Sequence, residues 1–288
     1  MTYAIEKDEP ISAAMPRIVN ECIELARERL LDEQQAPEER IHNARKRFKE
    51  SRAAIRMIRF PLGDRFDIEN AWFRDAGRRL AALRDADAAL EAADTLEADR
   101  YHERRLLRRL YRRLRHRRHL AREEDLARRI EETLRELPLA WERVALWPEL
   151  PDDFSAIGEG FRRTFRDGRK AMMEALASRS PEAFHEWRKR VKDHWYHLQI
   201  LRDVYPELTK PLRAEMEALS DALGHRHDLD VLQQSVAGNA FERKVMQQMI
   251  DRRAAELSEV AIVIGTRVYA EKPRAIHGRF EAYWKVWA

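Results

Sequence analysis

The chain repeats a basic segment at a fixed distance. Residues 41–59 read IHNARKRFKESRAAIRMIR, and residues 184–202 read FHEWRKRVKDHWYHLQILR. An offset of 143 positions relates the matching residues: His42 to His185, Arg45 to Arg188, Lys46 to Lys189, Lys49 to Lys192, Asp85 to Asp228 and Asp87 to Asp230. Because 143 is close to half of 288 residues, the sequence predicts an internal duplication that repeats one fold twice.

The composition favours helices over strands. The chain is 44% apolar and 37% charged, with only 9 glycines, and alternating β-branched segments are scarce. Such a balance is typical of all-α proteins. Each half predicts four helices, at about 12–34, 37–60, 66–93 and 97–136 and again at about 154–178, 181–204, 208–234 and 240–270, followed by a short terminal helix at about 274–287.

Proline marks the junction between the predicted halves. Residues 137–153 contain Pro138, Pro148 and Pro151, which predict that the preceding helix ends there. We therefore assign residues 1–140 to the first half, residues 141–153 to a linker and residues 154–288 to the second half.

The start of the chain and its single cysteine predict no special chemistry. Cys22 lies at helical spacing from Ile18 and Leu25, as expected of a core residue. The first residues show no basic segment followed by an apolar run, and the apolar tract at 260–264 is too short to cross a bilayer. We expect a cytoplasmic protein that does not bind membranes.

Positive charge is segregated along the chain. The net charge is only +4, yet Arg40–Arg59 holds eight basic residues with one acid, Glu50, and Arg100–Arg122 holds eleven arginines with one acid, Glu103. Segregated charge of this kind produces a local field that attracts polyanions.

The first basic segment predicts a helix with two adjacent stripes. An apolar seam runs through Ile41, Ala44, Phe48, Ser51, Ile55 and Ile58. A cationic row follows one residue later, at His42, Arg45, Lys49, Arg52, Arg56 and Arg59. One residue turns about 100° on a helix, so the row should border a cleft between helices. In the second half the row is His185, Arg188, Lys192, Trp195, Gln199 and Arg202, where two charges are missing.

These motifs resemble the CHAD family, the conserved histidine α-helical domain. Its members carry a His-x-x-Arg helix with further basic residues, then a second motif near Leu-Gly-x-x-Arg-Asp. This chain has His42-x-x-Arg45 and His185-x-x-Arg188, and the second motif appears at residues 83–85 and 223–228. The resemblance implies two four-helix bundles related by a pseudo-twofold axis, with a basic cavity where they meet. It also implies non-catalytic binding of inorganic polyphosphate, often at polyphosphate granules, without metal or cofactor.

We predict the binding residues from the cationic rows and the second motif. They are His42, Arg45, Lys46, Lys49, Arg52, Arg56, Arg84, Arg108, Arg112, His185, Arg188, Lys189, Lys192, Arg202, Arg226 and His227. Asp85 and Asp228 are interpreted as structural partners that orient a cation of the motif helix. Because an anion should raise a histidine pKa, His42 and His185 predict tighter binding at pH 6 than at pH 8.

Three other functions stay open at this point. The basic rows would also suit a nucleic-acid backbone, although aromatic residues for base stacking are scarce among them. His194 and His197, with the His225-Arg226-His227 cluster, have spacings that metals use, although the nearby arginines oppose a dication. A helical adaptor would explain the bundles but not the repeated cationic row.

Overall fold

The chain is all-α over the part that the structure describes, as predicted. The computed structural model describes the backbone of residues 3–80, 84–120 and 123–288, and the side chains of these residues except 84–87, 117–120 and 123–125. The helices in these ranges are α1 (Ile11–Leu31), α2 (Pro37–Met57), α3 (Arg59–Leu62), α4 (Arg65–Arg79), α5 (Arg84–Asp94), α6 (Tyr101–Leu120), α7 (Glu123–Val144), α8 (Ser155–Ser178), α9 (Pro181–Ile200), α10 (Pro206–Gln233), α11 (Ala240–Val268) and α12 (Pro273–Trp287). No helix within these ranges has both the length and the apolar character that a membrane span requires.

Proline fixes the start of both motif helices, α2 and α9. Pro37 and Pro181 stand in the first turn, where the amide hydrogen that proline lacks would have no helical partner. Ser180 caps α9, because its hydroxyl oxygen accepts a hydrogen bond from the Ala183 amide at 3.2 Å. The predicted helix starts at residues 37 and 181 are confirmed.

The end predicted for the last helix of the first half is wrong. The sequence predicts that this helix ends at residue 136, but α7 continues through Pro138 to Val144. Leu137, Ala140 and Val144 are almost completely buried, at helical spacing, in the core. Burial of this apolar face offsets the single helical hydrogen bond that Pro138 cannot donate.

The terminal helix α12 occupies a place in the second half that matches the place of α7 in the first. We call two residues counterparts when they are 143 positions apart. The counterpart of Val144, the last residue of α7, is Trp287, the last residue of α12. α7 packs on α1, and α12 packs on α8, which is the counterpart of α1. This matching placement of α7 and α12 is consistent with the predicted duplication.

The hydrophobic core crosses the boundary between the two halves. Its larger cluster takes buried side chains from α1, α2, α4 and α7 and from α8, α9, α10 and α12. A second cluster joins α5 and α6 to α10 and α11. The predicted boundaries at 140 and 154 stay predictions, since α7 continues past the first of them to Val144 and the apolar core is shared across both.

The motif helix α2 is held against the second half. A Cβ atom on Gly160 would lie 2.0 Å from the carbonyl oxygen of Met57, so only glycine lets α8 approach α2 this closely. His197 of α9 donates a hydrogen bond from Nε2 to the carbonyl oxygen of Ala53 at 2.8 Å. These contacts place the cationic row of α2 next to α9.

Candidate anion-binding groove

Cations from three helices line one groove, which we call the α4-side groove. It lies between α2, α4 and α9 and has a volume of about 410 Å³. Its cations are Arg45, Lys49, Arg52 and Arg56 of α2, Arg74 and Arg78 of α4, and Arg188, Lys189, Arg190 and Lys192 of α9. Asp193 is the one carboxylate among the described residues that line it.

The apolar seam of α2 explains why these cations face a groove. All six predicted seam residues are buried, and Ser51 among them donates a hydrogen bond to the Arg47 carbonyl oxygen. The row one residue later is half-buried at Arg45, Lys49, Arg52 and Arg56. The predicted position of the row, beside the core at a cleft between helices, is confirmed for these four residues, whereas Arg59 lies on α3 over the Phe66 ring.

Burial and repulsion from neighbouring arginines both act on Arg52 in the groove. Burial is the largest of the effects that lower the pKa of Arg52 to about 10, and repulsion from Arg56, Arg74 and Arg78 adds to it. Arg56 forms an ion pair with Asp193 at 3.0 Å, and Arg52 donates a hydrogen bond to the side-chain oxygen of Asn70 at 3.2 Å. A bound anion would relieve this repulsion.

A second, smaller cavity adjoins the first, and we call it the α10-side groove. It lies between α2, α9 and α10 and has a volume of about 220 Å³. It is lined by His42, Lys46, Lys49, Lys192, Trp195, Tyr196, Glu217, Ser220 and Asp221. Lys49, Lys192 and Tyr196 line both grooves.

Several predicted binding residues lie outside both grooves. Arg108 and Arg112 line a separate surface cavity of about 300 Å³ on α6, because the apolar residues of that helix pack toward α5 and α11. Arg202 follows the end of α9 and pairs with Asp203 at 3.3 Å. The structure does not bring these three arginines to the cations of α2.

Arg226 is a buried packing residue of α10. Its Nη1 forms an ion pair with Asp230 at 3.0 Å, and its Nε donates a hydrogen bond to the Ser258 hydroxyl at 3.0 Å. The guanidinium carbon lies 4.1 Å from the centre of the Phe184 ring. Arg226 lines neither groove, contrary to the prediction, and Asp230 and Ser258 hold two of its nitrogens.

The two motif histidines have different surroundings. His42 is exposed and lines the α10-side groove. Nδ1 of His185 lies 3.2 Å from Nδ1 of His227, so one of these nitrogens carries the proton of a shared hydrogen bond. Burial, with Lys189 and Arg188 nearby, lowers the pKa of His185. In the ligand-free protein His185 is therefore a weaker source of positive charge than the sequence suggests.

The side chains of the second motif are described for the copy at 223–228 but not for the copy at 83–85. The side chains of Arg84 and Asp85 lie outside the described residues, and their predicted roles stay predictions. Asp228 is half-buried on α10, and its predicted ion pair with the motif helix stays a prediction too.

Two histidines of the metal hypothesis, His194 and His197, are part of the core, whereas His225 is exposed and His227 half-buried. His194 packs against Phe161 and Phe165, each with a ring-centre distance of 5.2 Å. Burial lowers the pKa of His194 to about 3 and that of His197 to about 4. Across the described ranges, no three His, Cys, Asp or Glu side chains come together in a way that could hold a metal ion.

Sequence reasoning missed one wall of the α4-side groove. Arg74 and Arg78 are four positions apart on α4, outside the repeated segment, and Arg190 belongs to the repeat but not to the predicted set. Their i, i+4 spacing placed Arg74 and Arg78 on one helix face. That this face points at α2 depends on how α4 packs, which the spacing alone does not specify.

The family model of the CHAD domain matches residues 18–237 of this chain. The chain belongs to the CHAD family. Its structure is also similar to the crystal structure of the CHAD domain from the plant Ricinus communis, with a TM-score of 0.54 and 18% sequence identity over 97% of this chain and 94% of that one. No curated protein sequence matches the chain.

Family membership accounts for the fold around the grooves. The likeness to the plant CHAD structure extends over nearly the whole chain, including α11 and α12 beyond residue 237. At this level of identity it shows the fold alone, and the chemistry of the two grooves follows from the residues of this chain.

Proposed function

We propose that this CHAD protein binds inorganic polyphosphate in the α4-side groove without catalysing a reaction on it. The observation that carries the proposal is the meeting of ten cations from α2, α4 and α9 with one described carboxylate in a groove of about 410 Å³. Polyphosphate is a flexible chain with about one negative charge per unit, and repeated charge is what such a groove can bind.

The arginines suit phosphate oxygens in particular. Each guanidinium can donate two parallel hydrogen bonds to a phosphate, whereas lysine contributes a compact point charge. Arg45 to Arg56 spans about 16 Å along α2 at 1.5 Å per residue, enough to contact several units. Asp193, the described carboxylate of the groove, is paired with Arg56, which supports binding rather than acid–base catalysis.

The aromatic residues of the groove favour polyphosphate over nucleic acid. Single-stranded nucleic acids bind strongly where bases stack on exposed rings. Phe48 and Phe73 line the α4-side groove but are each 1% exposed, so their faces are covered by the core. The burial of these rings does not affect a ligand that consists of phosphates alone, because such a ligand has no bases to stack. A cytoplasmic location, with association to polyphosphate granules, belongs to the same proposal.

The proposal is tested by titration with polyphosphate of defined chain lengths at two salt concentrations. We expect affinity to fall steeply with salt, because each phosphate contact releases condensed counterions. The double variant Arg45→Glu with Arg188→Glu should lose about 100-fold in affinity at low salt. Lys170→Glu with Arg274→Glu, a pair of exposed cations outside the grooves, is the control with the same change in charge.

The outcomes separate the alternatives. Equal losses in both double variants would mean that binding follows net charge rather than the groove. No loss in Arg45→Glu with Arg188→Glu would support the adaptor hypothesis. If an oligonucleotide displaces polyphosphate at fewer phosphate equivalents than the reverse, nucleic acid is the better assignment.

A further inference from the structure

The two grooves are built from counterpart residues. The offset of 143 takes Lys46 to Lys189, Lys49 to Lys192, Arg52 to Trp195, Arg74 to Glu217, Gly77 to Ser220 and Arg78 to Asp221. One residue of each of these pairs lines the α4-side groove, and its counterpart lines the α10-side groove. The α10-side groove is therefore the second copy of the α4-side groove, with α10 in the place of α4.

The wall formed by α10 has the opposite charge. Arg74 and Arg78 of α4 become Glu217 and Asp221 of α10, and Arg52 of α2 becomes Trp195 of α9. Glu217 and Asp221 are both exposed to solvent. Neither forms an ion pair with another described side chain, so their charge acts on whatever enters the groove.

The lysines in the middle belong to both copies. Lys49 and Lys192 are counterparts and line both grooves, as does Tyr196. A polyanion that follows the arginines of α4 reaches these lysines and would next meet Glu217 and Asp221. Since like charges repel, the two carboxylates together should weaken binding there by roughly tenfold.

We propose that Glu217 and Asp221 are specificity residues that confine the polyanion to the α4-side groove. Only one of the two grooves then binds polyphosphate. The bound polyphosphate ends or turns away at Lys49 and Lys192 instead of continuing along α10. This inference rests on the proposed function, since it describes which part of the site polyphosphate occupies.

Charge reversal of the α10 wall tests the inference. The variant Glu217→Arg with Asp221→Arg restores the residues that the counterparts carry. Isothermal titration with tripolyphosphate at low salt should show one more bound tripolyphosphate per chain than the wild type. Glu142→Arg with Glu174→Arg, exposed acids of α7 and α8 away from the grooves, gives the same change in charge and should leave the stoichiometry unchanged.

Each result is informative. If the wild type binds neither tripolyphosphate nor long polyphosphate, the proposed function fails. If the wild type binds and the α10 variant gains no site, or the control pair gains the same site, the inference fails while the function stands.

A variant with neutral side chains tests the inference if the arginine variant does not fold. If the double arginine variant does not fold, as judged by circular dichroism, Glu217→Gln with Asp221→Asn is compared with Glu142→Gln and Glu174→Gln. The α10 pair should bind long polyphosphate several-fold more tightly than the control pair. Equal affinity in the two neutral pairs would overturn the inference.

Discussion

The motif helices α2 and α9 keep the same buried seam and differ in the side chains beside it. Phe48 and Val191 are counterparts and are both buried, as are Ser51 and His194. In the row beside the seam, Arg52 corresponds to Trp195, and the wall opposite changes from arginine to carboxylate. Both halves must bury an apolar face to fold, whereas the charge of the groove is free to differ between them.

The largest expected effect tests the seam that both helices share. Phe48→Ala should lower the free energy of unfolding by about 3–5 kcal/mol, and Val191→Ala by about 2 kcal/mol, because each leaves a cavity in a common core. Urea unfolding followed by circular dichroism measures both. Independent unfolding of the two halves in either variant would contradict the shared core.

The next effect separates the two rows. Arg52→Glu should weaken polyphosphate binding about 100-fold at low salt, because it replaces a central cation of the groove with an anion. Trp195→Glu, at the counterpart position, should change the affinity by less than about threefold. Titration calorimetry gives both constants, and similar losses would place the ligand in both grooves.

A third effect comes from the buried His194, whose counterpart Ser51 does not titrate near neutral pH. Since the pKa of His194 is lowered to about 3 in the fold, only the unfolded chain binds a proton as the pH falls below the ordinary histidine value of about 6.5. Stability should therefore be fully present above pH 7 and fall by about 1.4 kcal/mol per pH unit for this group at pH 6 to 5.

His197 adds a similar decrease, because its pKa is also lowered by burial, to about 4, even though Asp193 and the Ala53 carbonyl oppose the shift. The variant His194→Phe should remove only the share of His194 from the pH dependence. Urea unfolding at a series of pH values measures the slope, and an unchanged slope in His194→Phe would assign the pH dependence to other groups.

The smallest effect concerns a pair of carboxylates. Asp193 lines the α4-side groove and pairs with Arg56, whereas its counterpart Glu50 is buried and pairs with Arg47 at 2.7 Å. Asp193→Asn should tighten polyphosphate binding about threefold, because it removes a negative charge from the groove. Glu50→Gln should leave affinity unchanged, and a reduced affinity in Asp193→Asn would mean that Asp193 mainly orients Arg56.

The sequence predicted those parts of the fold and site that depend on one helix alone. The period of the seam located α2 and its row, and the repeat located α9. The end of α7 was not predictable from Pro138, because the burial of Leu137 and Val144 outweighs the local signal.

The wall of the groove depends on packing between helices, and sequence reasoning missed it for that reason. Arg74 and Arg78 were not distinguishable from other arginines until α4 was placed on α2. The difference between the grooves was also missed, because a duplication is recognised from identical residues. Glu217 and Asp221 differ from their counterparts Arg74 and Arg78. Arg226 is an example of the opposite error: it belongs to a motif and was predicted to bind, but it pairs with Asp230.

The equivalence of α12 and α7 changes how a shortened chain should behave. Phe280 lies 4.9 Å from Phe161 of α8, and Trp284 lies 6.1 Å from Phe154 just before α8, between ring centres, so α12 covers aromatic side chains at the start of α8. A chain cut after α11 would expose those side chains to water and to other copies of itself. Such a protein should aggregate, even though all the residues that line either groove would still be present.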